Sequence, residues 1–171
     1  MSRVIGLNQT LNNLQQAQTM IENEIKRLVV ESSYKIHADA VSNVPVDLAS
    51  VKQSGSVEFE NQGFKGKVYF SAFHAGFLEF GTGTKVVIPQ GWESEAGQFR
   101  GQSKGNWQDF KKLIQGWMSR KGIDLKYTHA IMLHIYRIGT SPKPFLIPAY
   151  KKEIPNFLAN IEKLIKINRT L

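Results

Sequence analysis

The chain is expected to be an α+β protein, with a long N-terminal helix packed on a small, mainly antiparallel sheet, followed by further helices and a C-terminal helix. Three observations carry that expectation. Leu7, Leu11, Leu14, Gln18, Ile21, Ile25, Leu28 and Ser32 follow one another at alternating spacings of four and three, the stripe of a helix lying along a partner. The period then falls to two across Ser54–Glu60 and Gly66–Phe70, as in half-buried strands. Beyond Trp107 apolar residues return to helical spacing in three separate stretches.

The first helix is expected over Leu7–Ser42. It is longer than so small a domain needs, so it spans the domain's full width or projects to a neighbour. Two polar stripe positions, Gln18 and Ser32, interrupt what would otherwise be a clean coiled-coil seam. Asn43 and Pro45 end the helix, because the residue before proline avoids the helical region. SGSVEFE and GKVYF form a hairpin, with Asn61–Lys65 as its turn. Lys85–Pro89, KVVIP, reads as a third short strand. Pro89–Asn106 is polar and glycine-rich, the composition of a long surface loop. Trp107, Phe110, Leu113, Ile114 and Trp117 mark an amphipathic helix that stops at Lys121-Gly122, a basic last turn followed by a capping glycine. Tyr127, Ile131, Ile135 and Ile138 mark another, apolar on most sides and expected to be buried, which Gly139 ends. Ser141–Ala149, SPKPFLIPA, reads as an extended segment guided by its prolines. Phe157, Leu158, Ile161, Leu164 and Ile165 give the final helix, with Pro155 in its first turn. The whole is expected to be one domain over 1–171, with a loop-plus-helix insertion at about 90–126.

Composition narrows the function classes. The 171 residues are 42% hydrophobic and 21% charged, apolar enough for a core and too polar for a membrane protein. The longest strongly apolar run, Ala130–Ile138, is broken by His134 and Arg137 and is far too short to cross a bilayer. The opening MSRVIGLNQTLNN turns polar before a signal-peptide core forms. There is no cysteine, which excludes disulfides, thiolate metal sites and cysteine nucleophiles. Net charge is +8 and uneven: 8 basic and 10 acidic residues precede Gly97, and 14 basic and 4 acidic residues follow. Such asymmetry marks either a surface facing nucleic acid or an acidic protein, or a solvated lysine-rich face.

Three local patterns resemble catalytic or binding motifs and fail on context. His74–Lys85, HAGFLEFGTGTK, has paired glycines ahead of a lysine, but KVVIP follows where a phosphate loop needs a helix N-terminus. Its glycines are expected to serve a turn with positive φ between two elements of the small sheet. Gly101–Gly105 matches G-x-S-x-G around Ser103, with Asp109 or Asp124 and His129 or His134 following in order. The residues before it are a polar loop, whereas a nucleophile elbow needs a buried strand. His37, His74, His129 and His134 have no metal-ligand spacing, and residues five apart on a helix point to different faces. Glu58 and Glu60 share the exposed face of a strand. Glu79, between Phe77, Leu78 and Phe80, is expected either to accept N–H groups of the Gly-Thr turn or to meet a basic residue of a neighbouring subunit. No catalytic, cofactor or metal residue is assigned, and the chain is not expected to be an enzyme.

Four pieces in order are more telling together. They are Val44-Pro45-Val46-Asp47; His74-Ala75 with Glu79-Phe80-Gly81-Thr82-Gly83; Gly139 with Ser141-Pro142-Lys143-Pro144-Phe145-Leu146; and Pro148-Ala149. The set resembles the tail-completion (head–tail joining, or neck) proteins of long-tailed bacteriophages, whose pattern runs V-P-V-D-T-G-x-L, Y-A-x-x-x-E-x-G-T and P-x-P-F-L-x-P-A. The likeness covers about Ala38–Tyr150. Leu48-Ala49 stands where that pattern has Thr-Gly, and His74 where it has Tyr. The resemblance implies a structural virion protein: a ring, usually sixfold, at the head-proximal end of the tail, with neck, connector and tail-tube proteins as partners. It implies DNA passing through the ring, no membrane partner and no cofactor, and assembly in the bacterial host's cytoplasm. Glu79, Phe80 and the turn Gly81-Thr82-Gly83 are expected at an interface between copies, with Pro45 and Asp47 as further motif positions. Phe145 is expected to be a core anchor clamped by Pro144 and Pro148, fixing a last strand. The alternative is a nucleic-acid-binding module using the basic half, with Trp92, Trp107 and Trp117 as stacking groups.

Overall fold

The structure is a computed structural model, described over residues 6–45, 48–99 and 106–169. In chain order its elements are α1 (Leu7–Asn43), α2 (Ala49–Gln53), β1 (Gly55–Glu60), β2 (Lys65–Phe70), α3 (Ala75–Phe80), α4 (Glu93–Gly97), α5 (Trp107–Lys121), α6 (Thr128–Ile138) and α7 (Leu146–Arg169). The α+β expectation is met: a long N-terminal helix, a two-stranded antiparallel sheet and further helices. The chain divides into two compact units, Met1–Ser71 with Phe145–Leu171, and Ala72–Pro144.

In the first unit β1 and β2 pair antiparallel, with Gly55 opposite Phe70 and Glu60 opposite Lys65. An isolated hairpin is marginal in water, and this one is held by α1. Gly66 has no side chain because Ser33 occupies the space: a Cβ there would lie 1.9 Å from Ser33 Oγ. His37 stacks on Phe70 at 6.0 Å, and Phe70 meets the Phe145 ring edge-on at 4.8 Å. From Phe145 the chain turns into α7, which packs along α1. Ser32 Oγ donates to Glu153 Oε1 at 3.0 Å, Lys152 reaches Asp39 at 2.6 Å, and Asn43 Nδ2 donates to the Phe145 carbonyl. Leu28, Ile36, Ala40, Val44, Phe145, Ile147 and Ala149 are the buried apolar residues along this seam.

Two expectations about the C-terminal part are corrected. Ser141–Ala149 is not extended throughout, because α7 begins at Leu146. Pro148 lies in its first turn, where a missing N–H costs nothing. Pro155 is therefore inside the helix, not at its start. A proline there removes one backbone hydrogen bond at a cost of about 3 kcal/mol, and the packing of α7 on α1 outweighs it.

In the second unit α5 and α6 are capped as their sequences foretell. Asn106 accepts from the Gln108 N–H at 2.9 Å, Arg120 and Lys121 occupy the last turn of α5, and Gly122 takes the left-handed cap. Met118 and Met132 are buried, and the Thr128 hydroxyl donates to the Leu125 carbonyl at 2.6 Å. α6 is less enclosed than its apolar pattern predicts. Thr128 and Met132 are its buried residues, while Tyr136 and Ile138 are exposed. Lys85–Pro89 forms no strand. A 3-10 turn covers Gly83–Lys85, and the Val87 N–H bonds back to the Phe80 carbonyl at 2.9 Å. Its apolar residues had the composition of a strand, but among the described residues the sheet holds only β1 and β2. The expected loop Pro89–Asn106 contains a short helix, α4, with Ala96 fully buried. No helix of the described residues is long and apolar enough to cross a membrane.

Candidate functional site

The motif residues separate into two groups, one in each unit. In the second unit α3 and α6 end alike. Gly81 caps α3 at φ 80, ψ −172, and Gly139 caps α6 at φ 88, ψ −176. Both lie in a backbone region that is essentially reserved for glycine. Each glycine is followed by a threonine, and the two Gly-Thr pairs interlock. The Thr82 N–H donates to the Thr140 carbonyl at 3.0 Å, the Thr140 N–H donates to Thr82 Oγ1 at 2.8 Å, and the two hydroxyls lie 2.9 Å apart. Thr84 Oγ1 adds a bond to the Ile138 carbonyl at 2.7 Å, and the Lys143 N–H donates to the Leu78 carbonyl at 2.7 Å.

The interlock leaves no room for side chains at its glycines. A Cβ on Gly139 would lie 1.8 Å from the Thr82 carbonyl oxygen, and one on Gly81 would lie 2.7 Å from that of Thr140. Gly81 and Gly83 of HAGFLEFGTGTK do take positive φ. They join a helix to a 3-10 turn, though, rather than two strands of the sheet.

Around α3 the site is aromatic. Phe77 and Phe80 both pack on Phe99, at 5.2 and 5.6 Å between ring centroids. A Cβ on Gly76 would lie 2.2 Å from the Phe99 ring. Phe99 comes from the stretch expected to be a surface loop. Its only signal in the sequence is a single aromatic residue in polar surroundings, and that aromatic folds back as part of a small core.

Glu79 is 6% exposed, and Phe80 and Gly81 are buried beside it. Thr84 and Lys85 are the exposed part of the turn.

The first unit holds the rest. Pro45 is half-buried after the end of α1, and Asp47 lies outside the described residues. Phe145 is 1% exposed and is a core anchor as expected. No strand follows it; its ring meets Phe70 edge-on, its carbonyl accepts from Asn43 Nδ2, and Pro144 and Pro148 are exposed. Glu153, which the sequence reading did not single out, is buried and accepts from Ser32 and from Asn156 Nδ2 at 3.3 Å.

As expected, Glu58 and Glu60 are exposed, where Tyr69 and Lys67 approach Glu58 and Lys65 pairs with Glu60 at 2.7 Å. Ser103 and its G-x-S-x-G pattern lie outside the described residues. Among the described residues no group of three His, Asp or Glu side chains is placed to hold a metal. The interlocked turns can brace one segment against another; they present no nucleophile and base pair.

No model of a known family, no curated protein and no solved structure matches the chain.

Proposed function

We propose that the chain is a structural subunit of the neck of a long-tailed bacteriophage, forming a ring at the head-proximal end of the tail and helping to join tail to capsid. The observation that carries the reading is the interlock. Glu79–Gly83 and Gly139–Lys143, two motif pieces more than fifty residues apart, meet through reciprocal backbone and hydroxyl hydrogen bonds. Their contact gives the pairing of these two pieces a physical basis. The role needs a rigid frame and self-contact, since a ring is built by one patch meeting a different patch on the next copy.

The test is electron microscopy of lysates from which the gene has been deleted. Unjoined full heads and free tails are the expected result. Normal joined particles would overturn the reading.

One observation favours a nucleic-acid-binding module instead. Trp107 is exposed at the mouth of a cavity of about 280 Å³, together with Lys111, Lys126 and His129. Lys126 is already paired with Asp124 at 3.0 Å, which lowers the charge offered there. A dedicated binder holds DNA with a steep salt dependence, because it releases several counterions. A neck subunit binds weakly as a monomer. A salt titration of DNA binding separates the two.

A further inference from the structure

The cavity between α5 and α6 sets a flat ring beside a cation. Trp107, Lys111 and Gln115 line one side of it at successive turns of α5, and Thr128, His129 and Met132 line the other from α6. Its floor is closed: Met132 and Thr128 are buried, and the Thr128 hydroxyl is spent on the Leu125 carbonyl at 2.6 Å. Its rim is open, with Trp107, Lys111 and His129 all exposed.

The ring is available. Phe110, His129 and Tyr136 meet the Trp107 ring at 5.9, 6.4 and 6.0 Å between centroids, tilted by 64, 73 and 84°. Among the described residues no ring is stacked parallel on it. An indole exposed at a cavity rim is a surface on which a nucleobase stacks.

The charge is single. No carboxylate lines the cavity, so a cationic ligand finds no counter-charge there. Residues 107–138 carry six basic and two acidic side chains, a balance that draws anions. Lys126 pairs with Asp124 at 3.0 Å and lies over the Tyr127 ring at 5.0 Å. Lys111 has no ion pair among the described residues; Asp109, the one acid of α5, lies 3.9 Å from Lys112.

One open ring and one open ammonium match one nucleotide. A lysine meets phosphate oxygens as a compact point charge with three donors, and Lys111 is one helical turn, about 6 Å, from Trp107 along α5. The volume of about 280 Å³ is just below the roughly 300–1,000 Å³ of cavities that enclose drug-sized ligands. That is too little for a length of strand. A base inside a duplex is also excluded, because it must leave the stack to enter a pocket.

We infer that this cavity takes a single unpaired nucleotide, its base against Trp107 and its phosphate on Lys111, either free or as one residue of a single strand. Such a site goes beyond the neck reading and does not depend on it. It also differs from a dedicated nucleic-acid binder, because neutralising one phosphate of a single strand gives a salt slope of only about −0.7.

The test is an NMR titration of the full chain, read at the Trp107 indole N–H and the Lys111 backbone N–H. The probes are thymidine monophosphate, a single-stranded oligothymidylate, thymidine and inorganic phosphate. The monophosphate and the strand should shift both signals saturably. Thymidine and phosphate, each half of the ligand, should bind at least roughly threefold more weakly. Trp107→Ala should weaken binding of the monophosphate roughly tenfold. In Lys111→Gln the monophosphate should bind no better than thymidine. Lys112→Gln removes the same charge one residue off the cavity and should bind as wild type. Lys111 and Lys112 are both exposed, so these two variants leave the fold alone. Tighter binding of the strand than of the monophosphate identifies the strand as the source, and equal affinities identify the free nucleotide. Three results overturn the inference: no saturable shift with either nucleotide probe, phosphate binding as tightly as the monophosphate, or Lys112→Gln weakening binding as much as Lys111→Gln.

Discussion

Gly139→Ala tests the interlock at its tightest point. Gly139 sits at φ 88, ψ −176, a region that costs another residue about 1–3 kcal/mol. The new Cβ would also lie 1.8 Å from the Thr82 carbonyl oxygen and 2.6 Å from the carbon bearing it. Both are backbone atoms, so no side-chain rotation relieves the clash and the two turns must separate. Separation breaks the bonds from the Thr82 N–H to Thr140 and from the Thr140 N–H to Thr82, each worth about 1 kcal/mol. The sum is about 3–5 kcal/mol, a large part of the roughly 5–15 kcal/mol that holds a typical domain folded. Urea unfolding followed by tryptophan fluorescence reads it directly, because Trp92, Trp107 and Trp117, all the tryptophans of the chain, lie in the same unit as Gly139. The control is Gly116→Ala, at a helical position in α5 where a Cβ makes only an ordinary contact of 3.6 Å with Arg120. It should stabilise by about 0.5–1 kcal/mol. A Gly139→Ala protein within about 0.5 kcal/mol of wild type, the scatter of an ordinary surface change, would refute the argument.

Further outcomes follow from the first unit. Phe145→Ala removes a ring that is 1% exposed and packed on Phe70, and should cost about 3–5 kcal/mol, seen as an earlier loss of helical circular dichroism. Gly55→Ala places a Cβ 2.7 Å from His37 Nε2 and 2.8 Å from the Phe70 ring. It should cost about 1–3 kcal/mol in the same melting experiment, and an unchanged melting temperature would show that the ring pair shifts freely. Hydrogen bonds from Arg27, Lys35 and Lys65 hold the Glu24, Glu31 and Glu60 carboxyls below their ordinary value of 4.5. Folded values below the unfolded ones mean a stabilisation present at neutral pH and lost as pH falls through the folded values. Glu24→Gln, Glu31→Gln, Glu60→Gln together should flatten the acid side of the melting-temperature profile; an identical slope would show that these exposed pairs contribute nothing.

Periodicity by itself determined much of this protein. α1, the hairpin, α5, α6 and the capping glycines were all legible, because each depends on local spacing and on the residues at its own ends. Leu7–Ser42 was expected and Leu7–Asn43 is found; Gly122 and Gly139 end the helices they were expected to end. Where backbone partners decide, the sequence was silent. KVVIP has the composition of a strand but forms none, because a strand requires a neighbour with free N–H and C=O groups. Pro155 looked like a helix start, yet its proline-compatible first turn is elsewhere, at Pro148, and the contacts of α7 with α1 carry the helix through it.

Tertiary structure alone decided what the motif does. EFGTG looked like an isolated turn and IGTSPKP like a helix end running into an extended segment, and nothing local says that one glycine's missing side chain makes room for the other segment's carbonyl. Only the folded chain sets Gly139 against Thr82, returns Phe99 to α3 and turns Glu79 inward. It also shows how much of the long stripe of α1 is covered among the described residues. Spacing along a helix records the direction of its apolar face, while the length over which that face is covered depends on segments that arrive from elsewhere in the sequence.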